Sequence, residues 1–321
     1  MEFIFKQMRK KALIISIKGK SLSRKERLLL SNERPWGIIL FKRNLKSLNQ
    51  IKTLTKKIRT LTRDRYFPII IDEEGKGVSR LSGIINHNFS ANFFGRLFDK
   101  NKILCKKLLK HYVYAISKTL KELGFNINTI PVLDVLRNNT HKIIGNRSFS
   151  KDPKIIKVLG LLVIKYLHLN KICGVVKHIP GHGAATADSH KKTPKVYLNL
   201  KDLNKVDFYP FKSSKSKFAM TAHILYPNID KKNVATFSRK IITKIIRKKL
   251  GFKGILISDD ISMKALKYNL VTNAKKSLEA GCNIVLYCSG NINDNLKLIK
   301  SLPYIDKFTS KKTSEFYNFL M

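Results

Sequence analysis

Three of the chain's eight histidines lie in one fourteen-residue stretch near its middle, KHIPGHGAATADSH (residues 177–190). An apolar run precedes this stretch, and Gly and Ala predominate in its second half. Such a pattern is typical of a buried strand that ends in a flexible loop. The loop carries Asp188 and His190, and a carboxylate beside an imidazole can orient the ring and raise its basicity. The stretch therefore predicts a site of proton transfer.

Acidic residues are scarce, so their positions are informative. The chain has 21 Asp and Glu against 64 Lys and Arg. Seven of the acids end an apolar run or follow it closely, and these are Asp72, Glu73, Glu74, Asp134, Asp188, Asp259 and Asp260. Because side chains alternate along a strand, only one of the adjacent pair Asp259 and Asp260 is predicted to face the interior. Carboxylates at strand ends can accept hydrogen bonds from the hydroxyl groups of a ligand, and a nearby Arg80 adds donors.

Eight apolar runs alternate with amphipathic segments along the chain. The runs predict strands at 12–17, 36–41, 67–71, 125–135, 172–178, 218–224, 254–258 and 283–288. Helices are predicted at 45–62, 102–123, 153–169, 239–250, 274–280 and 293–301, among others. The alternation predicts an α/β fold, a single (β/α)8 TIM barrel over residues 1–321, with its active site at the C-terminal ends of the strands.

The N-terminus superficially imitates a signal peptide, because basic residues that include Lys6 and Arg9 precede the apolar run at 12–17. That run is short and no small-residue cleavage site follows it, so we predict a first strand instead. Four scattered cysteines without a C-x-x-C pair favour reduced packing residues. We expect a cytoplasmic protein with no membrane insertion, for which a monomer is favoured.

The formal net charge of +43 at pH 7 would ordinarily indicate a nucleic-acid-binding protein. The lysines are spread over nearly every predicted helix, and neither arginine clusters nor aromatic residues interleaved with a basic groove are visible. We therefore expect mostly solvated surface charge, some steering of an anionic substrate and no specific nucleic-acid partner.

Residues 177–190 and the KKTP that follows closely resemble the signature of the bacterial β-N-acetylhexosaminidases of glycoside hydrolase family 3, the enzymes of peptidoglycan recycling. A second match is SDDISM (residues 258–263), which is similar to the family's Ser-Asp-Asp-Leu-Ser-Met. The resemblance implies that Asp259 is the nucleophile, that His190 is the proton donor and acceptor, and that Asp188 orients His190. It leaves a supporting or helix-capping role for Asp260.

The resemblance also implies five sugar contacts, which are Asp72, Arg80, Arg147, Lys177 and His178. The first two match the family motif Asp-x-Glu-Gly-Gly-Arg-Val-x-Arg, from which Lys76 and Gly77 depart. This departure puts the local turn geometry in doubt. Arg147 lies in Gly-Asn-Arg-Ser-Phe, which is similar to the family's Gly-x-Arg-Ser-Phe.

Three other polar residues are open to more than one interpretation. Asp134 is favoured as a buried structural partner over a ligand contact, and His182 as a residue that shapes the base of the loop. His223 is expected either to line the floor of the pocket or to be a satisfied core histidine. A metal site formed by His178, His182 and His190 is the alternative interpretation of the central stretch, but the length of the family match favours the glycosidase, which needs no metal or cofactor.

The activity implied by the resemblance is that of a retaining exo-β-N-acetylglucosaminidase. Its substrate would be a terminal β-1,4-linked N-acetylglucosamine on 1,6-anhydro-N-acetylmuramic acid, with or without a peptide. Two alternatives stay open from the residues alone. One is a β-N-acetylglucosaminide phosphorylase, since a histidine acid/base does not repel an approaching anion. The other is a polyanion- or nucleic-acid-binding protein on a degenerate barrel, which the charge motivates.

Overall fold

A computed structural model describes residues 10–321 of the chain, so that Lys6 and Arg9 lie outside the described residues. Eight parallel strands close into a barrel in sequential order. The strands, first to eighth, are Lys11–Ile15, Pro35–Leu40, Ile69–Ile71, Ile127–Asn128, Cys173–Ile179, Phe218–Thr221, Ile255–Asp260 and Ile284–Leu286. The first strand pairs with the eighth, which confirms the predicted (β/α)8 barrel. The prediction of one domain over residues 1–321 stays a prediction.

Helices connect and surround the strands. Their bounds are Arg24–Asn32, Leu48–Thr62, Ala91–Lys100, Lys102–Glu122, Pro153–Leu169, Leu200–Lys205, Leu270–Ala280, Ile292–Ser301 and Lys307–Leu320, and Ile241–Lys249 forms a π-helix. Most of the α-helices begin at a Ser, Asn or Asp whose side chain accepts a backbone N–H of the first turn, such as Ser23 and Asp306. Within the described part of the chain, no helix is both long and apolar enough to cross a bilayer.

The interior of the barrel is filled by apolar side chains and closed at its N-terminal end by the last helix. Trp36 is fully buried and packs edge-on against Phe218, with ring centroids 5.6 Å apart. Its indole N–H donates to Thr313 Oγ1 of the last helix over 2.9 Å, and Phe316 of the same helix packs against both rings. These contacts fill this end of the barrel, which is a packed core.

Most strands differ from their predicted bounds, and the differences in the fourth and seventh strands affect the site. The fourth was predicted over 125–135, but the ladder covers only Ile127–Asn128, so the predicted length is wrong. Pro131 has no N–H to donate to a neighbouring strand, and beyond it the chain regains only one bridge, between Val132 and Lys177. The seventh strand is longer than predicted and runs through Asp260, which carries both adjacent acids to the rim of the barrel.

A small hairpin follows the third strand. Glu73–Gly75 pairs with Val78–Ser79 in antiparallel fashion, and the turn contains Lys76 and Gly77. Gly77 has a φ of +108° and open space around the position of a Cβ. The residues that depart from the family motif therefore form the turn of this hairpin.

Candidate active site

A cavity of about 300 Å³ lies at the C-terminal ends of the strands. Seven of the eight residues predicted for the site line it, and these are Asp72, Arg80, Arg147, Lys177, His178, His190 and Asp259. The eighth, Asp188, is hydrogen-bonded to His190. The structure thus brings together in one cavity residues that are separated by up to 187 positions in the sequence, from Asp72 to Asp259 (259 − 72).

Asp259 lies at the end of the seventh strand. One of its carboxylate oxygens accepts the backbone N–H of Asp260 at 2.8 Å. Burial acts to raise the pKa of Asp259, but the neighbouring His223 and His178 and this hydrogen bond outweigh it and hold the pKa below its ordinary value. The carboxylate is therefore ionised at neutral pH, as a nucleophile must be.

Asp260 also borders the cavity, but its carboxylate is occupied by other partners. It accepts the backbone N–H and the hydroxyl of Ser262, at 3.1 and 2.7 Å, and the backbone N–H of Cys288 at 3.2 Å. Burial raises the pKa of this carboxyl, and the charge of Asp259 adds to the rise. The residue holds the loop after the seventh strand to the end of the eighth, which fits a supporting role.

His190 lies on the long loop after the fifth strand, and its side chain is 61% exposed. Its Nδ1 is 2.8 Å from Asp188 Oδ1, and the same oxygen accepts the backbone N–H of His190 at 2.9 Å. Burial acts to raise the pKa of Asp188, but these hydrogen bonds and the histidine ring lower it on balance. An ionised Asp188 accepts the Nδ1 proton and leaves Nε2 of His190 to exchange a proton with a ligand.

The loop that carries His190 is braced from two sides. Thr140 Oγ1 donates to the carbonyl of Gly183 at 2.6 Å, and the backbone N–H of His141 donates to Ala185 at 3.0 Å. A Cβ on Gly183 would lie 2.0 Å from the carbonyl oxygen of Val135, so only glycine fits there. On the other side, Ala265 N–H donates to Ser189 at 3.1 Å. The second brace links the loop to the segment that follows Asp259.

The family of the chain follows from its sequence as well as from this geometry. The model of the glycosyl hydrolase family 3 N-terminal domain matches residues 6–310. The chain belongs to glycosyl hydrolase family 3. It is a glycoside hydrolase, which confirms the predicted class of enzyme.

Named relatives agree with this assignment. A β-hexosaminidase of Nitrosomonas eutropha is 35% identical over 282 residues, which are 86% of this chain and 80% of the relative. The structure of NagZ from Neisseria gonorrhoeae in complex with N-trifluoroacetyl-D-glucosamine superposes with a TM-score of 0.88 at 29% identity, covering 96% of this chain and 90% of that one. A family 3 β-N-acetylglucosaminidase from Paenibacillus gives the same TM-score at 25% identity. The match covers 98% of this chain but 61% of that longer chain.

In this family 3 enzyme, two acids and three basic residues form one ion-pair cluster on the cavity wall. Asp72 accepts Arg80 Nη2 at 2.8 Å and lies 3.4 Å from Lys177 Nζ, and it also accepts the hydroxyl of Thr129. Burial acts to raise the pKa of Asp72, but the charges of Lys177 and Arg80 hold it below its ordinary value. The guanidinium of Arg80 also lies 5.0 Å from the ring centroid of Phe41, which fixes its plane.

Glu74 is a part of the site that the sequence analysis did not assign. Its carboxylate accepts Arg147 Nε and Nη2, at 2.7 and 2.9 Å, and pairs with Lys177 Nζ at 2.6 Å. Burial acts to raise its pKa, but Arg147 and Lys177 lower the pKa to about 2. Glu74 lies two positions after Asp72, and side chains two apart in extended chain face the same side. This spacing is the signal from which Glu74 could have been predicted.

We expect Glu74→Gln to remove part of the acid sensitivity of the fold. A carboxyl whose folded pKa is lowered stabilises the protein above its ordinary value of 4.5, and this contribution is lost as the pH falls toward about 2. The free energy of unfolding of the wild type should therefore fall more steeply over this range than that of the variant. At neutral pH the variant should be less stable by about 3 kcal/mol, because Arg147 and Lys177 lose their partner.

Urea unfolding at a series of pH values measures both effects. Glu279→Gln is the matched control, since Glu279 is exposed on the helix Leu270–Ala280, and its stability should follow the wild type at every pH. Parallel curves for the wild type and Glu74→Gln would show that the carboxylate of Glu74 is not the group that titrates.

Asp134 is fully buried and supports the histidines of the fifth strand and its loop. It accepts Nδ1–H of His178 at 2.6 Å and the backbone N–H of His182 at 2.6 Å. Burial acts to raise the pKa of Asp134, but His178 lowers it on balance. His223 is also fully buried, and both its ring nitrogens have partners, Thr236 Oγ1 at 2.7 Å and the carbonyl of Asp260 at 3.0 Å. Of the two alternatives for His223, the floor of the pocket or the core, the structure therefore supports a core histidine with both ring nitrogens hydrogen-bonded.

Within residues 10–321, no group of three or more His, Cys, Asp or Glu side chains is arranged to hold a metal ion. His178, His182 and His190 were the ligands of the alternative metal site. The ring of His178 bonds to Asp134 instead, and the ring of His190 bonds to Asp188.

Proposed function

We propose that this chain is a retaining exo-β-N-acetylglucosaminidase that removes terminal β-1,4-linked N-acetylglucosamine from 1,6-anhydro-N-acetylmuramic acid and its peptides. The observation that carries the proposal is that an ionised strand-end carboxylate, Asp259, and an oriented imidazole, His190, line the same cavity from different strand ends. The names of the relatives, β-hexosaminidase and β-N-acetylglucosaminidase, support the activity on the terminal sugar.

In the proposed first step, Asp259 attacks the anomeric carbon and forms a covalent glycosyl-enzyme with inversion. His190 donates its Nε2 proton to the departing oxygen. Before this transfer the ring of His190 is cationic, and the carboxylate of Asp188 stabilises that form. In the second step the neutral ring removes a proton from water, which attacks the same carbon with a second inversion. The product keeps the configuration of the substrate. No metal or redox cofactor takes part in these steps.

The ion-pair cluster is proposed to bind the sugar. Asp72, held by Arg80 and Thr129, presents carboxylate oxygens that accept hydroxyl protons. Arg80 lines the cavity beside Asp72, and its guanidinium adds donors there. Arg147 and Lys177 are held in place by Glu74 and supply further donors. Rigidly held polar groups of this kind lose little conformational entropy when a ligand binds.

The substrate and its location belong to the same proposal. Recycled anhydromuropeptides carry carboxylates, and a net charge of +43 steers anions toward the protein. The four cysteines are free thiols, none of them in a disulfide. Free thiols are typical of proteins in a reducing compartment, which supports the cytoplasm as the location.

Turnover of an aryl β-N-acetylglucosaminide and of the N-acetylglucosaminyl-anhydromuramic acid disaccharide tests the proposal. We expect both substrates to release free N-acetylglucosamine as the β-anomer, at rates that do not depend on added phosphate. Release of N-acetylglucosamine 1-phosphate in the presence of phosphate would show a phosphorylase instead. Salt-dependent binding of nucleic acid without hydrolysis of either substrate would overturn the proposal.

A further inference from the structure

His182 is a polar residue of the cavity that the reaction described above does not use. It is 3% exposed and lines the cavity beside His178, with the two ring centroids 5.8 Å apart. Its backbone N–H donates to Asp134, and Nδ1 of its ring is enclosed without a hydrogen-bond partner among residues 10–321. Buried polar groups in folded proteins are nearly always paired, so an unpaired imidazole at a cavity needs an explanation.

The surroundings of the ring determine which nitrogen carries the proton. Burial lowers the pKa of His182 to about 4, so the ring is neutral at neutral pH and holds one proton. Nδ1 is enclosed and unpaired, whereas Nε2 is not among the enclosed unpaired atoms of the described chain. Enclosing an unpaired N–H costs about 1–3 kcal/mol, and folded proteins leave an enclosed acceptor unpaired more often than an enclosed N–H. The proton is therefore on Nε2, where a partner from the cavity can accept it.

The neighbouring ring has the complementary arrangement. Nδ1 of His178 donates to Asp134, which leaves its Nε2 for a ligand. His178 and His182 are both anchored on the same buried carboxylate, one through its ring and the other through its backbone. The ring of His178 and the backbone of His182 are therefore fixed before a ligand arrives, and both residues line the same cavity.

We propose that His182 is a further substrate-binding residue, which donates its Nε2 proton to an oxygen atom of the terminal sugar. This inference rests on the proposed function and identifies a residue that selects the sugar. A sugar that lacks the accepting oxygen leaves the His182 N–H unpaired in a dehydrated site and is discriminated against for that reason.

Two variants at this position separate hydrogen bonding from shape. Phenylalanine keeps the ring but has no donor, and glutamine carries an amide N–H at about the position of Nε2. We expect His182→Phe to lower kcat/KM for an aryl β-N-acetylglucosaminide by about 10- to 100-fold, and His182→Gln to stay within about threefold of the wild type. The control is His168→Phe, since His168 also has a buried unpaired ring nitrogen and a pKa lowered to about 4 but does not line the cavity. Its kcat/KM should be unchanged.

A set of modified substrates then tests whether the contact is with the sugar itself. The set consists of aryl glycosides that lack in turn the 3-, 4- or 6-hydroxyl or the acetyl group. The loss caused by His182→Phe should shrink to less than about threefold for one member of the set and persist for the others. An equal loss with every member would show that the ring only shapes the loop, and would overturn the inference.

Nitrogen NMR of the intact wild type gives a reading that does not depend on the folding of a variant. We expect the spectrum of ¹⁵N-histidine-labelled protein to show the Nε2–H tautomer for His182, with its signals shifted by saturating N-acetylglucosamine. The Nδ1–H tautomer, or signals that do not respond to the sugar, would overturn the inference while turnover by the wild type leaves the proposed function intact. A wild type without turnover would overturn the proposed function, and the inference with it.

Discussion

Replacing Asp259 by Asn is expected to lower kcat for an aryl β-N-acetylglucosaminide by on the order of 10⁴-fold or more. The amide has no negative charge and cannot form the covalent intermediate, which is the only low-energy route through a two-step mechanism. The fold should tolerate the change, because the Asn side-chain oxygen can still accept the backbone N–H of Asp260. Steady-state kinetics measures the loss, and thermal unfolding checks that the fold is retained.

Asp260→Asn is the matched control for this prediction. It removes one charge at the next position of the same strand, where the carboxylate is occupied by Ser262 and Cys288. A loss of about tenfold or less is expected there, because the interaction removed is structural. Incubation with a 2-deoxy-2-fluoro glycoside, followed by peptide mass spectrometry, should label Asp259 alone. A label on Asp260, or a larger loss at Asp260 than at Asp259, would reverse the two roles.

The order of strands in the barrel was predictable from the sequence because each strand of a fully covered parallel sheet is a continuous apolar run. All eight runs became barrel strands. Their lengths were less predictable, because hydrophobicity does not reveal where the ladder of backbone hydrogen bonds stops. The segment 125–135 carries apolar residues along its whole length, yet pairing largely ends before Pro131, which has no N–H to donate.

Some residues of the site could likewise be predicted from the sequence, and others could not. The residues with a motif, such as Asp259 and His190, were placed in advance because the motif fixes both their type and their position. The roles of Glu74 and His182 could be inferred only from coordinates. They depend on residues far away in the sequence, which are Arg147 and Lys177 for Glu74 and Asp134 for the backbone of His182. The bidentate pair of Glu74 with Arg147 joins residues 73 positions apart, and no local pattern encodes such a pair. The unpaired ring of His182 is a property of its surroundings and not of its spacing.

His190→Ala is expected to lower kcat/KM by an amount that depends on the leaving group. A sugar alkoxide needs a proton as it departs, so hydrolysis of the disaccharide should fall by about 10²- to 10⁴-fold. A dinitrophenolate is stable without a proton, so the first step with the dinitrophenyl glycoside should change by less than about tenfold. For that substrate the second step becomes limiting, because no base remains to activate water. Azide needs no deprotonation and should restore turnover as the glycosyl azide.

Lys191→Ala is the control for the loop, since Lys191 is exposed and adjacent to His190, and it should behave as the wild type with every leaving group. The dependence on the leaving group distinguishes proton transfer from a structural role, because a displaced loop would slow all substrates alike.

The same dependence on the leaving group tests whether Asp188 orients His190. Asp188→Asn keeps the ring in place but removes the charge that stabilises the imidazolium form, so it should show the same dependence with a smaller amplitude. A uniform loss in both variants would mean that the Asp188 and His190 pair does not carry the proton.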